Sequence, residues 1–277
     1  MNAKKPSRRA IPGFGVSLGV TVTLVSLVVL IPLCSLVVSA AQLTPAQFWE
    51  TITRGRVLSS FEVSLVCALT AALINLAMGV LLAWVLVRYD FPGKRILDGL
   101  IELPFALPTA IAGITLTSLT VEGGWIGRIF APLSIDIAYT RLGITVALIF
   151  VGIPFVVRSV QPVLEKLEGS YEEAAGLMGA SRGYIFLHVI WPELRPAALT
   201  GFGLALARGL GEYGSVVFIA GNKPYSTEIV PLMIMSQLQE YDYGEATAIA
   251  LVMLAVAFLI LLAMNAIQLR AARRAGG

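Results

Sequence analysis

"EGSYEEAAGLMGASRGYIFLHVIWPELRP", residues 168–196, carries seven acidic or basic side chains, His188 included, in a chain that is otherwise strongly apolar. Ser170 and Glu173 match a capping box, in which each side chain accepts from the backbone amide of the other's end of the turn. Glu172 and Glu173 complement the positive pole of a helix dipole, Ala174 and Ala175 favour helix, and Gly179 suits the left-handed residue that ends one. A helix over 171–178 is therefore expected. Two turns are marginal alone in water, so the rest of the chain or another protein must hold it. Ser181 is expected to begin a second helix through Tyr184, Ile185, Phe186, Val189 and Ile190, interrupted at Pro192. Leu177 and Met178 offer apolar contact, and Ala174, Ala175 and Gly179 permit close approach. On these residues alone, two readings stand: a solvated connection, or a surface on which a cytoplasmic partner docks.

The sequence on either side explains why a polar stretch is unusual here. The chain has 277 residues, 57% hydrophobic and 13% charged, against about 25% charged in an ordinary soluble domain, and its mean hydropathy is +0.83. About 20 apolar residues cross a bilayer as a helix. Six stretches qualify: about 14–38, 61–87, 98–120, 140–160, 197–221 and 245–269. Residues 63–87 and 246–269 contain no Asp, Glu, Lys or Arg. The expected fold is all-α: one six-span membrane domain over 14–269 with a polar loop at 161–196, an N-terminal segment 1–13 and a tail 270–277.

Lys and Arg accumulate in cytoplasmic loops. With six spans, Lys4, Lys5, Arg8, Arg9, Arg88, Lys94, Arg95, Arg158, Lys166, Arg182, Arg195, Arg270, Arg273 and Arg274 share the side of both termini. Arg54, Arg56, Arg128, Arg141 and Lys223 lie opposite. Both termini and the polar loop are thus expected in the cytoplasm. "VSA" at 38–40 resembles a signal-peptide cleavage site. The run 16–38 is uncharged over 23 residues, longer than the 7–15 typical of a signal sequence, and a retained helix is expected.

Several chemistries find no support. G-x-x-x-x-G-K-[ST] is absent, so the chain should not cradle a nucleotide by itself. H-E-x-x-H, C-x-x-C and a second histidine are absent as well, and lone His188 cannot hold zinc. Cys34 and Cys67 lie in apolar runs as small hydrophobes. No cofactor, metal, nucleic-acid partner or enzymatic activity is expected. A secondary transporter is the competing class, though no inverted repeat is evident.

Arg208 and Glu212 fall inside the fifth span, where charges are costly and mark function. Spaced i and i+4, they can pair, and Gly201, Gly203, Gly209, Gly211 and Gly214 permit close helix packing around them. Pro104 and Pro108 in the third span fit either a packing kink or a break that lines a cavity.

The pattern Glu173-Ala174-Ala175, Gly179 and Pro192 resembles the EAA loop of permease subunits of bacterial ABC importers, with Val189 and Trp191 replacing the usual Ile and Leu. The runs 88–116, 154–165 and 208–222 extend the likeness to the sulfate and molybdate branch. The resemblance implies a bacterial inner-membrane permease for sulfate or thiosulfate, with molybdate or tungstate as the alternative. It implies ATPase-coupling roles for Glu172, Glu173, Ala174, Ala175, Gly179, Ser181 and Arg182. The implied partners are two copies of a separate ABC ATPase subunit, a related second permease and a periplasmic sulfate/thiosulfate-binding protein. Arg208 and Glu212 would then be a packing or gate pair, or Arg208 would meet the oxyanion in transit.

Overall fold

The structure is a computed structural model and describes residues 14–167 and 169–275, with side chains through Gln268. The N-terminal cations Lys4 to Arg9, residue Glu168 and the side chains of the basic tail lie outside the described residues. Thirteen α-helices follow one another with no strand among the described residues. They are α1 (Phe14–Ala40), α2 (Pro45–Thr53), α3 (Gly55–Arg88), α4 (Lys94–Ala106), α5 (Thr109–Thr120), α6 (Trp125–Phe130) and α7 (Arg141–Lys166), then α8 (Gly169–Leu177), α9 (Arg182–Ile185), α10 (Trp191–Leu210), α11 (Val216–Ile219), α12 (Val230–Gln239) and α13 (Tyr243–Ala275).

The body is built on α3, α7 and α10 packed together. Small residues recur at helical spacing on the buried stripe of α3, with Ser60, Ser64, Ala68, Ala71, Asn75, Gly79 and Ala83 all buried. The matching stripe of α10 includes Ala198, Gly201, Ala205 and Gly209. Such stripes let backbones approach closely, which drives helix association where apolar burial alone cannot discriminate. The approach is close at Val156 of α7. A Cβ on Gly79 would lie 2.7 Å from its side chain, and one on Gly201 would lie 2.7 Å from its Cα. By contrast α1 buries only Ala40 and touches the body through α13.

Ion pairs sort the helix ends into two groups. At one end Arg54 pairs with Glu245, Arg56 with Glu228 and Arg141 with Glu62. At the other, Arg88 pairs with Glu172 and Arg158 with Asp98 and Glu102. Between the two groups, Arg208 and Glu212 form a pair inside the body. A polypeptide that keeps its charges at two ends, with apolar helices between, is arranged as a bilayer requires.

Four helices are long and apolar enough to cross a membrane: α1, α3, α7 and residues Tyr243–Gln268 of α13. They coincide with the expected first, second, fourth and sixth spans. The other two differ from expectation. The stretch expected as one span over 98–120 is two helices, α4 and α5, broken at Leu107–Pro108, where Lys94–Ala106 and Thr109–Leu133 are bent by 114°. Leu107 is extended, at φ −86° and ψ 137°, because a following proline disfavours the helical conformation. The stretch expected over 197–221 stops being helical after Leu210. The chain turns through Gly211–Ser215 before the single turn of α11.

Candidate functional site

The polar loop folds into α8 and α9. Helix α8 begins at Gly169, so Ser170 lies inside its first turn instead of capping it, and the expected Ser170–Glu173 capping box is not the start of the helix. The C-terminal end is as expected. Gly179 is left-handed at φ +82°, its N–H donates to the Gly176 carbonyl at 3.0 Å, and the Ala180 N–H donates to the Ala175 carbonyl at 3.1 Å. These two bonds are the paired 5→2 and 6→1 bonds of a Schellman motif.

Ser181 then caps α9 by accepting from the Tyr184 N–H at 3.3 Å, as expected. Pro192 does not interrupt the helical path as expected. Residues Phe186–Ile190 widen into a π-helix, closed by the Trp191 N–H donating to the Phe186 carbonyl, and the chain continues directly into α10. Pro192 falls in the first turn of α10, directly after that wide turn. The wide turn offers room for a proline ring that would collide with the preceding carbonyls of a regular helix. The consequence is a nearly unbroken helical rod from α9 to the centre of the body.

Helix α8 is held from one side only. Arg88, at the end of α3, donates from Nη2 to Glu172 Oε1 at 2.7 Å and to the Leu167 carbonyl at 3.1 Å, with its guanidinium 5.7 Å from the Trp84 ring centroid. Ala175 packs towards the apolar cluster around Ile185 and Leu194. Glu173 and Ala174 are exposed, and Leu177 and Met178 are exposed to 90% and 88%. Gly179 and Arg182 are exposed beside them. The seven loop residues singled out in the sequence therefore share one knob but divide in use. Glu172 attaches it to the body, Gly179 and Ser181 shape it, and Glu173, Ala174 and Arg182 face outward. Sequence reading missed Arg88 and Trp84, because nothing local ties the end of the second span to a helix 84 positions later.

The second site lies where two broken helices meet. Gly209 of α10 faces Ala68, whose Cα lies 3.9 Å from where a Gly209 Cβ would be, about 20 Å from the Gly55 end of α3 at 1.5 Å per residue. Beside it Arg208 Nη1 pairs with Glu212 Oε2 at 2.6 Å, the i, i+4 contact that the spacing allows. Glu212 is 1% exposed. Its other oxygen, Oε1, accepts from the Ser215 N–H at 2.8 Å and Ser215 Oγ at 2.9 Å. A Cβ on Gly214 would collide with Thr109, and one on Gly113 would lie 2.8 Å from the Ser215 Cα. The turn after α10 is thus seated on the first turns of α5, just past the Leu107–Pro108 bend. Thr109, Gly113 and Ser215 went unnoticed in the sequence, where no pattern marks one turn as the seat of another.

Among the described residues no group of His, Cys, Asp or Glu is arranged to hold a metal ion. The two sites offer an exposed helical knob with an apolar tip and a charged pair part-way along an apolar body.

A model of the family described as binding-protein-dependent transport system inner membrane component matches residues 75–276. The chain is 50% identical over 271 residues to a sulfate transport system permease protein CysT of Escherichia coli strain K12, covering 98% of both chains. It is 45% identical over 249 residues to the protein of the same name from Synechocystis, covering 90% of this chain and 87% of that one. Among solved structures, a bacterial ABC transporter involved in import of the acidic polysaccharide alginate superposes with a TM-score of 0.75 at 18% identity, over 93% of this chain and 95% of that one. The MetNI methionine ABC transporter superposes with a TM-score of 0.59 over 83% of this chain and 99% of that one. The all-helical permease fold expected from sequence thus finds its architectural match in importer permeases, and the chain belongs to the family of binding-protein-dependent transport system inner membrane components.

Proposed function

We propose that this chain is the permease subunit of an ATP-driven importer that moves sulfate or thiosulfate across the bacterial inner membrane. Half-identity with a sulfate transport system permease over 98% of both chains carries the reading.

The geometry supports the division of labour. With α8 in the cytoplasm, its exposed Leu177 and Met178 form a tip for a separate ATPase subunit, and Glu173, Ala174 and Arg182 surround that tip. Motion of α8 reaches the body by two routes: the Glu172–Arg88 pair into α3, and the rod from α9 through the π-turn into α10, which ends at Arg208 and the Glu212 turn. Two ATPase copies, a second related permease and a periplasmic sulfate/thiosulfate-binding protein complete the assembly.

Six crossings with both termini cytoplasmic fit the ion pairs. Arg88 and Arg141 belong to opposite end groups, so the bent α4–α5 unit makes one net crossing between them. Lys166 and Tyr243 are likewise at opposite ends, so α10 and the turn after it make another. Arg208 and Glu212 then stand in the substrate pathway or its gate.

Membrane vesicles containing the assembled importer test this proposal. ATP-dependent uptake of labelled sulfate that vanadate abolishes is expected; uptake that persists without the ATPase subunit would assign the chain to secondary transport instead.

A further inference from the structure

Arg208 sits on the side of α10 that the rest of the chain leaves open, in line with exposed Thr200 and Leu204, while Ala198, Gly201, Ala205 and Gly209 on the opposite side are buried. Its side chain is 36% exposed, and its one partner among the described residues is Glu212, through Nη1. Of the other paired arginines, Arg54 and Arg88 at the helix ends are engaged through one nitrogen atom, and Arg56, Arg141 and Arg158 through two. Arg56 donates from Nε and Nη2 to Glu228, Arg141 from Nε and Nη1 to Ser226 and Glu62, and Arg158 engages Asp98 and Glu102 through Nη1 and Nη2. Arg208 keeps Nε and Nη2 unspent. A guanidinium with unspent donors half-way along a span does not face hydrocarbon; it faces water or protein.

Glu212 is the fixed member of the pair. It is buried, and both donors of Ser215 hold its Oε1. Ser215 is itself fully buried and clamped against Gly113 of α5.

We propose that Ser215 is a positioning residue for anion passage. By locking Glu212, it makes that carboxylate hold Arg208 by a single nitrogen and leaves the other two aimed into the pathway, where they suit two oxygens of a tetrahedral oxyanion. The Glu212 charge offsets that of Arg208, so the contact is weak enough to release the anion. This deepens the sulfate-permease reading and rests on it.

The test uses the complete importer in proteoliposomes, with sulfate uptake compared in the wild type, S215A, R208A and the double variant. Removing a hydrogen bond to a charged group should slow S215A by about tenfold with copurification of the ATPase subunits unchanged, and S215A should slow R208A no further. Losses that multiply would overturn the proposal, because Ser215 would then act by packing the turn. If S215A does not assemble, Ser215→Cys takes its place, keeping the volume with a much weaker donor. If R208A shows no measurable uptake, mass spectrometry of phenylglyoxal modification decides: sulfate should protect Arg208 in the wild type but not in S215A, and equal protection overturns the proposal. Absence of ATP-dependent sulfate uptake by the wild type would instead overturn the reading on which the proposal rests.

Discussion

Arg88, the last residue of α3, holds Glu172 of α8 at 2.7 Å across 84 positions of sequence. This is the polar tie between the knob and the helix body, and both side chains are about one-quarter exposed. A pair still open to solvent contributes roughly 0.2–1 kcal/mol to stability. Glu172→Ala should therefore leave the melting temperature of the purified complex nearly unchanged while lowering sulfate transported per ATP hydrolysed by severalfold. The charge swap Arg88→Glu with Glu172→Arg should restore part of that ratio. Unchanged coupling in Glu172→Ala would remove this tie from the relay.

Leu177 and Met178 are the most exposed large apolar pair of the described loop. Truncating both to Ala removes contact area from a partner but none from the chain's own core. Copurification of the ATPase subunit should fall by at least tenfold, with the thermal stability of the permease intact. Retained association would place the ATPase elsewhere on the chain.

Gly152 of α7 faces Asn75 of α3, where a Cβ would collide with the Asn75 amide. Gly152→Ala is expected to destabilise the packed helices by about 1–3 kcal/mol, as overpacking does. Asn75→Ala in the same chain should recover part of that loss. Thermal unfolding of the detergent-solubilised protein measures both, and equal melting temperatures for Gly152→Ala and wild type would show that α3 and α7 are not in this close contact.

Glu228 is 1% exposed and bound by both Nε and Nη2 of Arg56 at 2.8 and 2.7 Å. Removing one partner of such a pair strands the other and costs about 3–5 kcal/mol. Arg56→Ala should unfold at markedly lower temperature than wild type, while Arg56→Ala with Glu228→Gln should be the more stable of the two variants. This separates a structural role of the pair from a role in transport.

How much the sequence disclosed depends on how local each signal is. Uncharged runs such as 63–87 predict their own helices, and α3 and α13 lie where expected, because apolar length is a property of the run alone. Gly179 was readable for the same reason: a left-handed helix end depends on one residue and its neighbours. The 114° bend at Leu107–Pro108 was open to either a kink or a break, since proline restricts the preceding residue without fixing the angle between the two helices. Pro192 misled, because its steric cost was met by a π-turn, which five apolar and aromatic residues do not advertise. Arg88, Ser215 and Gly113 act through contacts that only the tertiary arrangement creates.

In the proposed function, an ATPase carried by another chain acts through α8 to drive sulfate inward. Right-side-out vesicles or proteoliposomes with ATP enclosed, holding this permease with the proposed second permease, binding protein and ATPase, measure it directly, with ATP-driven sulfate accumulation compared between wild type and a complex whose α8 tip carries Leu177→Asp. Accumulation in the wild type, together with its loss in the tip variant while the helix body still folds, is the predicted result. Full sulfate accumulation with the tip altered, or in vesicles whose ATPase cannot hydrolyse ATP, would contradict it.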